Sequence, residues 1–342
     1  MKIKDNKIYK IKFKTLGCLP KNEKVLVGNG DWVDISTISV GDTVLNGNGE
    51  PVKVKEVYKK KTKSKLIKIV PFVSKYNSFC VTPAHPVLCI KRDWVNSSRK
   101  NSKCLWLRVA ENELINTTPG YVEAELLEKG DYILFSKMRE LKDNPVFTKR
   151  IMRFLGYYLA EGYITAKESV INFAFNKNEQ KYIDEVKSLS KNIIGKEGNQ
   201  RTRNNVTEIR ICSRKWAKFL LKHGGKHAKH KRISKEVLLL QPSKQWELIK
   251  RFMNGDGNIY KRRKKDTETY RLDTTSVTLA IQLQDMLAGC GVFASLKKFN
   301  RSATYIEGRL VPPHTLYNLS FKLEKNHKFV KNLRDYYLVP IR

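Results

Sequence analysis

Two acidic residues, each followed by glycine, are the first candidates for chemistry. Glu161 ends the apolar stretch 154–160, and Asp256 ends the similar stretch 249–255. Each stretch reads as the end of a helix, and two such helices that pack through small residues bring their acids together. Close carboxylates repel each other unless a cation lies between them. The pattern predicts a metal site at Glu161 and Asp256; the plainer alternative is two surface acids beside glycine caps.

The paired stretches resemble the two motifs of the LAGLIDADG homing endonucleases, and the resemblance covers roughly residues 145 to 342. It implies a DNA endonuclease that makes double-strand breaks, with Mg²⁺ held by Glu161 and Asp256. It also implies a catalytic basic residue in each half, and Lys231 is the best match in the first. The second stretch departs from the family pattern at Lys250 and Arg251, which predicts a looser helix pair. The second basic residue stays open among Lys297, Lys298, Lys322 and Lys325.

Cys18 and the segment Thr82-Pro83-Ala84-His85 form the second candidate centre. A cysteine thiol can attack the preceding carbonyl, while a histidine protonates the leaving amide nitrogen and a threonine holds the peptide. This arrangement resembles the Hint fold of inteins over residues 18–136, which implies an N–S acyl shift at Cys18. A buried cysteine and an ordinary strand-end histidine are the plainer alternative. A zinc site built from Cys80, His85 and Cys89 is a third.

The amino-acid composition limits the kinds of partner that the chain can be expected to bind. Its 342 residues carry 67 Lys and Arg against 33 Asp and Glu, a net charge of +34. Such an excess predicts a polyanionic partner, and nucleic acid is the commonest. Double-stranded DNA is the partner we expect for a monomer, with phosphate contacts from the run Lys261, Arg262, Arg263, Lys264 and Lys265. No apolar run is long enough to span a membrane and no signal peptide is visible, so we expect an intracellular, cytoplasmic protein.

The fold class that these patterns predict is α+β, an all-β Hint-like domain followed by a pseudo-two-fold αββαββα LAGLIDADG domain. We expect residues 1–17 to be an extein-like flank, 18–144 the β-domain and 145–342 the endonuclease domain, with halves 145–240 and 241–342. Two Gly-Asp turns, at Gly41 and Gly130, each lead into a β-rich run and predict a duplicated β-domain. Thr148 is the predicted N-cap of the first motif helix, and a last helix is predicted near 327–334.

A C-terminal His-Asn pair, which such an intein uses to release its downstream flank, is missing from this sequence. The expectation is therefore an intein-encoded endonuclease that cannot complete splicing alone: either a separate C-terminal split-intein fragment exists, or the chain is a truncated or decayed element. Two alternatives stay open. One is a free-standing endonuclease with a relic Hint domain, and the other is a non-catalytic DNA-binding protein on the same scaffold.

Overall fold

The computed structural model consists of helices and small antiparallel sheets, so the predicted α+β class is confirmed. It describes residues 17–28, 32–46, 50–59, 61, 63, 65–95, 109, 111–137, 143–165, 167–261, 268–306, 309–323 and 330–342. Within these ranges, every helix falls short of the length and apolar character that a membrane span requires.

The N-terminal part is built from short strands. Its elements are β1 (Lys24–Leu26), β2 (Trp32–Asp34), β3 (Thr43–Leu45), β4 (Pro51–Lys53), β5 (Ile67–Ile69), β6 (Phe79–Val81), β7 (Pro86–Ile90), α1 (Glu111–Asn116), β8 (Gly120–Glu123) and β9 (Tyr132–Ser136). Strands β1 and β2, β3 and β4, and β5 and β6 pair two by two, whereas β7 lies between β8 and β9 in a larger sheet.

The two Gly-Asp turns have the same local structure, as their repeat predicts. Gly41 and Gly130 have φ angles of +92° and +96°, which glycine adopts without steric cost. The carboxylates of Asp42 and Asp131 each accept a hydrogen bond of 2.8 Å from the backbone N–H three residues earlier. Each turn lies between two strands, β2 and β3 in one copy and β8 and β9 in the other. The turn unit is therefore duplicated.

The rest of the chain contains one arrangement of elements twice. The first copy comprises α2 (Lys149–Glu161), β10 (Gly162–Thr165), β11 (Val170–Asn176), α3 (Gln180–Ile194), β12 (Asn199–Arg203), β13 (Val206–Cys212), α4 (Arg214–Gly224) and α5 (Lys235–Leu238). The second comprises α6 (Pro242–Asp256), β14 (Gly257–Lys261), β15 (Glu268–Thr274), α7 (Val277–Gly289), β16 (Ser295–Arg301), β17 (Thr304–Ile306), β18 (Arg309–Val311) and β19 (His314–Phe321). Their antiparallel sheets have equivalent strand orders, β10-β11-β13-β12 and β14-β15-β19-β16. Thr148 caps α2 as predicted, accepting a bond from the Ile151 N–H.

Helices α2 and α6 lie against each other within the larger apolar core, which both halves share. A Cβ atom on Gly156 would lie only 2.4 Å from the carbonyl oxygen of Leu248, so the two backbones are in close contact. The Arg251 guanidinium leaves this contact and pairs with Glu185 at 2.7 Å and with Glu247 at 3.0 Å. The prediction that Lys250 and Arg251 loosen the helix pair is therefore wrong.

The C-terminal end of the described chain does not form the predicted helix near 327–334. Residues 327–329 lie outside the described ranges, and the segment from 330 onward is extended, with β20 (Lys331–Asn332) and β21 (Tyr336–Pro340). Strand β21 pairs antiparallel with β9, so that the N-terminal sheet has the order β20-β21-β9-β7-β8. The last strand, in the predicted 145–342 domain, thus pairs with a strand of the predicted 18–144 domain. The division into these two domains otherwise stays a prediction.

Candidate metal centre

Both predicted acids lie at helix ends, in equivalent positions of the two halves. Glu161 is the last residue of α2 and Asp256 the last of α6. The glycines that come next, Gly162 and Gly257, have φ angles of −91° and −107°, which any residue adopts. Glycine is needed there for another reason. A Cβ atom would lie within 2.5 and 2.1 Å, respectively, of atoms of the residue four positions earlier.

The structure brings the two acidic helix ends together. A Cβ atom on Gly255, the neighbour of Asp256, would lie 2.8 Å from the Oε1 atom of Glu161. Burial first, and then the negative charge of Asp256, raise the pKa of Glu161 to about 8. Burial and the charge of Asp273 raise the pKa of Asp256 to about 7, although Lys231 acts in the opposite direction. Protein surrounds the Asp256 carboxyl, yet the residue as a whole keeps an exposed surface.

Lys231 lies at the same helix end but points inward. Its side chain is buried, and its Nζ atom donates hydrogen bonds to the Gly162 carbonyl at 2.8 Å and to the Tyr158 carbonyl. The same atom lies 3.4 Å from the centroid of the Tyr158 ring. Burial lowers the pKa of Lys231 to about 7, while Asp256 acts to raise it. Two carbonyl acceptors and a ring face favour the ammonium form, so Lys231 binds the C-terminal end of α2. Its catalytic role stays a prediction.

The donor set fits a hard cation that keeps part of its water shell. In the described ranges, no group of three or more His, Cys, Asp and Glu side chains is placed to hold a metal ion. Mg²⁺ is commonly bound through one or two carboxylates and retains several waters. Glu161 and Asp256 supply that number of carboxylates, so the site suits Mg²⁺ better than an ion that needs a complete protein shell.

Further residues, to which the sequence analysis gave no role, hold the two helices in register. Tyr157 donates a 2.8 Å hydrogen bond to Glu185 and accepts one of 3.1 Å from the Asn254 side chain. Arg153 of α2 also pairs with Glu247 of α6. The one visible signal was the spacing of Glu247 and Arg251, four residues apart on a helix. Cross-helix partners cannot be found from spacing along one helix.

The second candidate centre is also brought together. Thr82 Oγ1 accepts a 2.8 Å hydrogen bond from the Cys18 N–H, and the Thr82 N–H donates to the Cys18 carbonyl at 3.0 Å. His85 lies against Gly17, where an added Cβ would be 2.3 Å from the His85 Cα. Its Nδ1 atom is buried without a hydrogen-bond partner in the described part of the chain. Burial lowers the pKa of His85, so the neutral ring is favoured. The catalytic roles of Cys18, Thr82 and His85 stay predictions.

The remaining candidate sites are the possible zinc ligands and the predicted phosphate-binding run. Cys80, His85 and Cys89 form no metal-holding group where the chain is described, and burial raises the pKa of Cys89 to about 11. Lys261 ends β14 and pairs with Glu268 at 3.4 Å. The rest of the predicted phosphate-binding run, Arg262, Arg263, Lys264 and Lys265, lies outside the described ranges.

Comparison with known proteins identifies relatives whose names differ from the family expected from the sequence motifs. An iron–sulfur cluster assembly SufBD family protein of Mycobacterium tuberculosis is 29% identical over 333 residues, 95% of this chain and 39% of the relative. The ATP-dependent DNA helicase Hel308 of Thermococcus kodakarensis is 28% identical over 163 residues, 44% of this chain and 14% of the helicase. No protein-family model matches. The homing endonuclease I-DmoI in complex with DNA and Ca, at 12% identity and a TM-score of 0.35, covers 51% of this chain and 83% of that structure; so weak a likeness carries no argument.

These names contradict the predicted assignment to a LAGLIDADG homing endonuclease joined to an intein-like Hint domain. The relative that aligns with nearly the whole chain is named for iron–sulfur cluster assembly, not for DNA cleavage or protein splicing. The predictions of a DNA endonuclease, of splicing at Cys18, and of duplex DNA and a split-intein fragment as partners are corrected with it. The physical reason is that an acid-Gly motif indicates only a tightly packed helix end. A net charge of +34 indicates only that the chain is basic. Neither specifies a substrate.

Proposed function

We propose that the chain binds a divalent cation, Mg²⁺, between the acidic ends of helices α2 and α6. One observation carries the proposal. The carboxylates of Glu161 and Asp256 come from separate halves of the chain and lie at neighbouring helix ends, and the negative charge of Asp256 raises the pKa of Glu161. Two like charges held together by a rigid helix contact are unfavourable unless a cation or a proton offsets them.

The protein fixes the spacing between the two carboxylates and places polar groups around them. The contact at Gly156 sets how close the two helices lie, and Lys231 binds the carbonyls of Tyr158, in the last turn of α2, and of Gly162, just after it. A bound Mg²⁺ would offset the two negative charges and act as a Lewis acid toward oxygen ligands. The accessible surface of Asp256 leaves room for the waters that Mg²⁺ retains.

Removing either carboxylate is expected to abolish high-affinity binding. Titration calorimetry with MgCl₂ should show that Glu161→Gln and Asp256→Asn each bind Mg²⁺ at least about tenfold more weakly than the unmodified chain. The matched control is Glu197→Gln, which removes an exposed carboxylate paired with Lys191 and should leave binding unchanged. Equal Mg²⁺ affinity in all four proteins would refute the assignment.

Stability without metal should fall as pH rises. Both carboxyls have a pKa above the value of about 4 expected in the unfolded chain, Glu161 at about 8 and Asp256 at about 7. The unfolded state then releases protons first, so the free energy of unfolding declines from about pH 4 toward pH 8. We expect a Glu161→Gln/Asp256→Asn double variant in EDTA to lose this decline in thermal denaturation between pH 5 and 7. Parallel curves for the two proteins would contradict the coupling.

A second candidate function is that of a segment within an iron–sulfur cluster assembly protein. It is favoured because the relative of that name aligns with 95% of this chain. The chain spans 39% of that relative's length, so the relative's role is proposed here only for a segment. The cysteines of the described ranges form no ligand group, and we propose that these five cysteines do not themselves hold a cluster. Anaerobic reconstitution with iron and sulfide should give no chromophore that depends on any of them; one that is lost when one of these cysteines is replaced by serine would overturn the statement.

We propose that residues 145–323 form a pseudo-two-fold αββαββα unit, supported by the equivalent strand orders of the two sheets. The duplicated Gly-Asp turns and the pairing of β21 with β9 support a Hint-like fold for the β part, as a statement about fold alone.

A further inference from the structure

A cavity of about 1170 Å³ lies between the N-terminal strands and helix α7. Its walls include residues of β1, β2, β3 and β9 on one side and of α7 on the other. The volume is slightly above the range of about 300–1,000 Å³ that is usual for small-molecule sites. Six aromatic side chains line it: Trp32, Tyr58, Tyr76, Phe79, Phe135 and Phe293. The cavity is separate from the carboxylate pair of α2 and α6.

One carboxylate lies in this aromatic setting. Asp285 of α7 lines the cavity, and its Oδ2 atom accepts a 3.0 Å hydrogen bond from the Trp32 indole N–H. The Asp285 carboxyl lies deep in the protein, although the residue as a whole keeps a partly accessible surface. No lysine, arginine or histidine forms an ion pair with Asp285 in the described ranges. Burial raises the pKa of its carboxyl to about 7, against the hydrogen bond from Trp32.

A carboxylate held deep in the protein without an ion-pair partner attracts a cation. A hard metal ion is a poor match, because the aromatic rings around Asp285 supply none of the further oxygen ligands that such an ion needs. An organic ammonium ion needs only one carboxylate and gains further from aromatic faces. Three of the four lining lysines, Lys21, Lys24 and Lys59, are exposed, whereas Asp285 is deep, so the inner part of the cavity favours a cation.

We propose that this cavity binds an organic ammonium ion, with its charged head on Asp285 and its apolar body against the aromatic walls. Trp32 has two functions in such a site. Its N–H fixes the orientation of the carboxylate, and its ring forms part of the wall. The contact joins residues 253 positions apart, so the site exists only when the β part and α7 are packed together.

Benzylammonium tests the proposal by titration calorimetry at pH 8, where the ammonium is charged and Asp285 is ionised. Benzyl alcohol is the neutral probe of similar shape, and benzoate is the anionic one. We expect benzylammonium to bind the full chain and both other probes to bind at least roughly tenfold more weakly. Binding of benzyl alcohol or benzoate as tight as that of benzylammonium, or no binding at millimolar benzylammonium, would overturn it.

Asp285→Asn isolates the charge, because an amide oxygen can still accept the Trp32 hydrogen bond. Affinity for benzylammonium should fall at least about tenfold in this variant. Asp184→Asn, an exposed position on α3, is the matched control and should bind as the unmodified chain does. If Asp285→Asn binds equally well, the assignment is wrong. The probe comparison on the unmodified chain decides the matter if that variant does not fold.

Discussion

Alanine at Gly156 is expected to destabilise the chain by roughly 1–3 kcal/mol, even though alanine is the better helix former. The added Cβ would lie 2.4 Å from the Leu248 carbonyl oxygen and 2.9 Å from the Arg251 Cβ. Backbone atoms of α6 cannot rotate out of the way as the end of a side chain can, so the helices must move apart. The higher helix propensity of alanine offsets about 1 kcal/mol at most. Urea denaturation measures the difference.

The chain offers a matched control at Gly289, in the last turn of α7. An added Cβ there meets only the Gln245 Oε1 atom at 3.6 Å, an ordinary contact. Gly289→Ala should therefore leave stability unchanged or raise it by about 0.5–1 kcal/mol. Because Gly156→Ala also alters the helix contact that positions Glu161 and Asp256, its Mg²⁺ affinity should fall, whereas that of Gly289→Ala should not. Equal stability and equal Mg²⁺ affinity in the two variants would show that the helix contact is not tight.

Local patterns in the sequence are enough to predict most helices and many strands. Helix α3, Gln180–Ile194, is of the kind that a local pattern predicts, because its apolar residues recur with helical spacing. Strand β12, Asn199–Arg203, is not predicted, since all five residues are exposed and none is apolar. Its pairing with β13 and not its own composition makes it a strand.

The sequence cannot supply contacts between distant segments that no motif marks. The acid-Gly motifs predict that Glu161 and Asp256 meet, because a duplicated unit implies equivalent positions. No motif predicts the bond between Trp32 and Asp285, since neither residue is marked by its neighbours. The inward orientation of Lys231 is hidden for the same reason. In a chain with 67 Lys and Arg residues, composition cannot distinguish one buried lysine from the solvated ones.

The second large effect is expected at Tyr337, in the terminal strand β21. Its side chain is fully buried, its ring lies 5.3 Å from that of Phe293, and its hydroxyl donates to the Ala288 carbonyl at 3.2 Å. Tyr337→Ala should cost about 3–5 kcal/mol, as large-to-small changes at buried aromatic residues do. Tyr337→Phe, which loses only the hydrogen bond, should cost about 1 kcal/mol.

This cost should appear first in the N-terminal sheet, because β21 is the neighbour of β9 and Leu338 lies opposite Leu134. Hydrogen exchange of the β9 amides should accelerate in Tyr337→Ala, while exchange in α2 stays near its original rate. Tyr305→Ala removes a ring that is 72% exposed and serves as the control, with no change in either region. If β9 keeps its protection in Tyr337→Ala, then β21 does not stabilise the N-terminal sheet. Protection lost equally in β9 and α2 would instead mean that the two parts of the chain unfold as one cooperative unit.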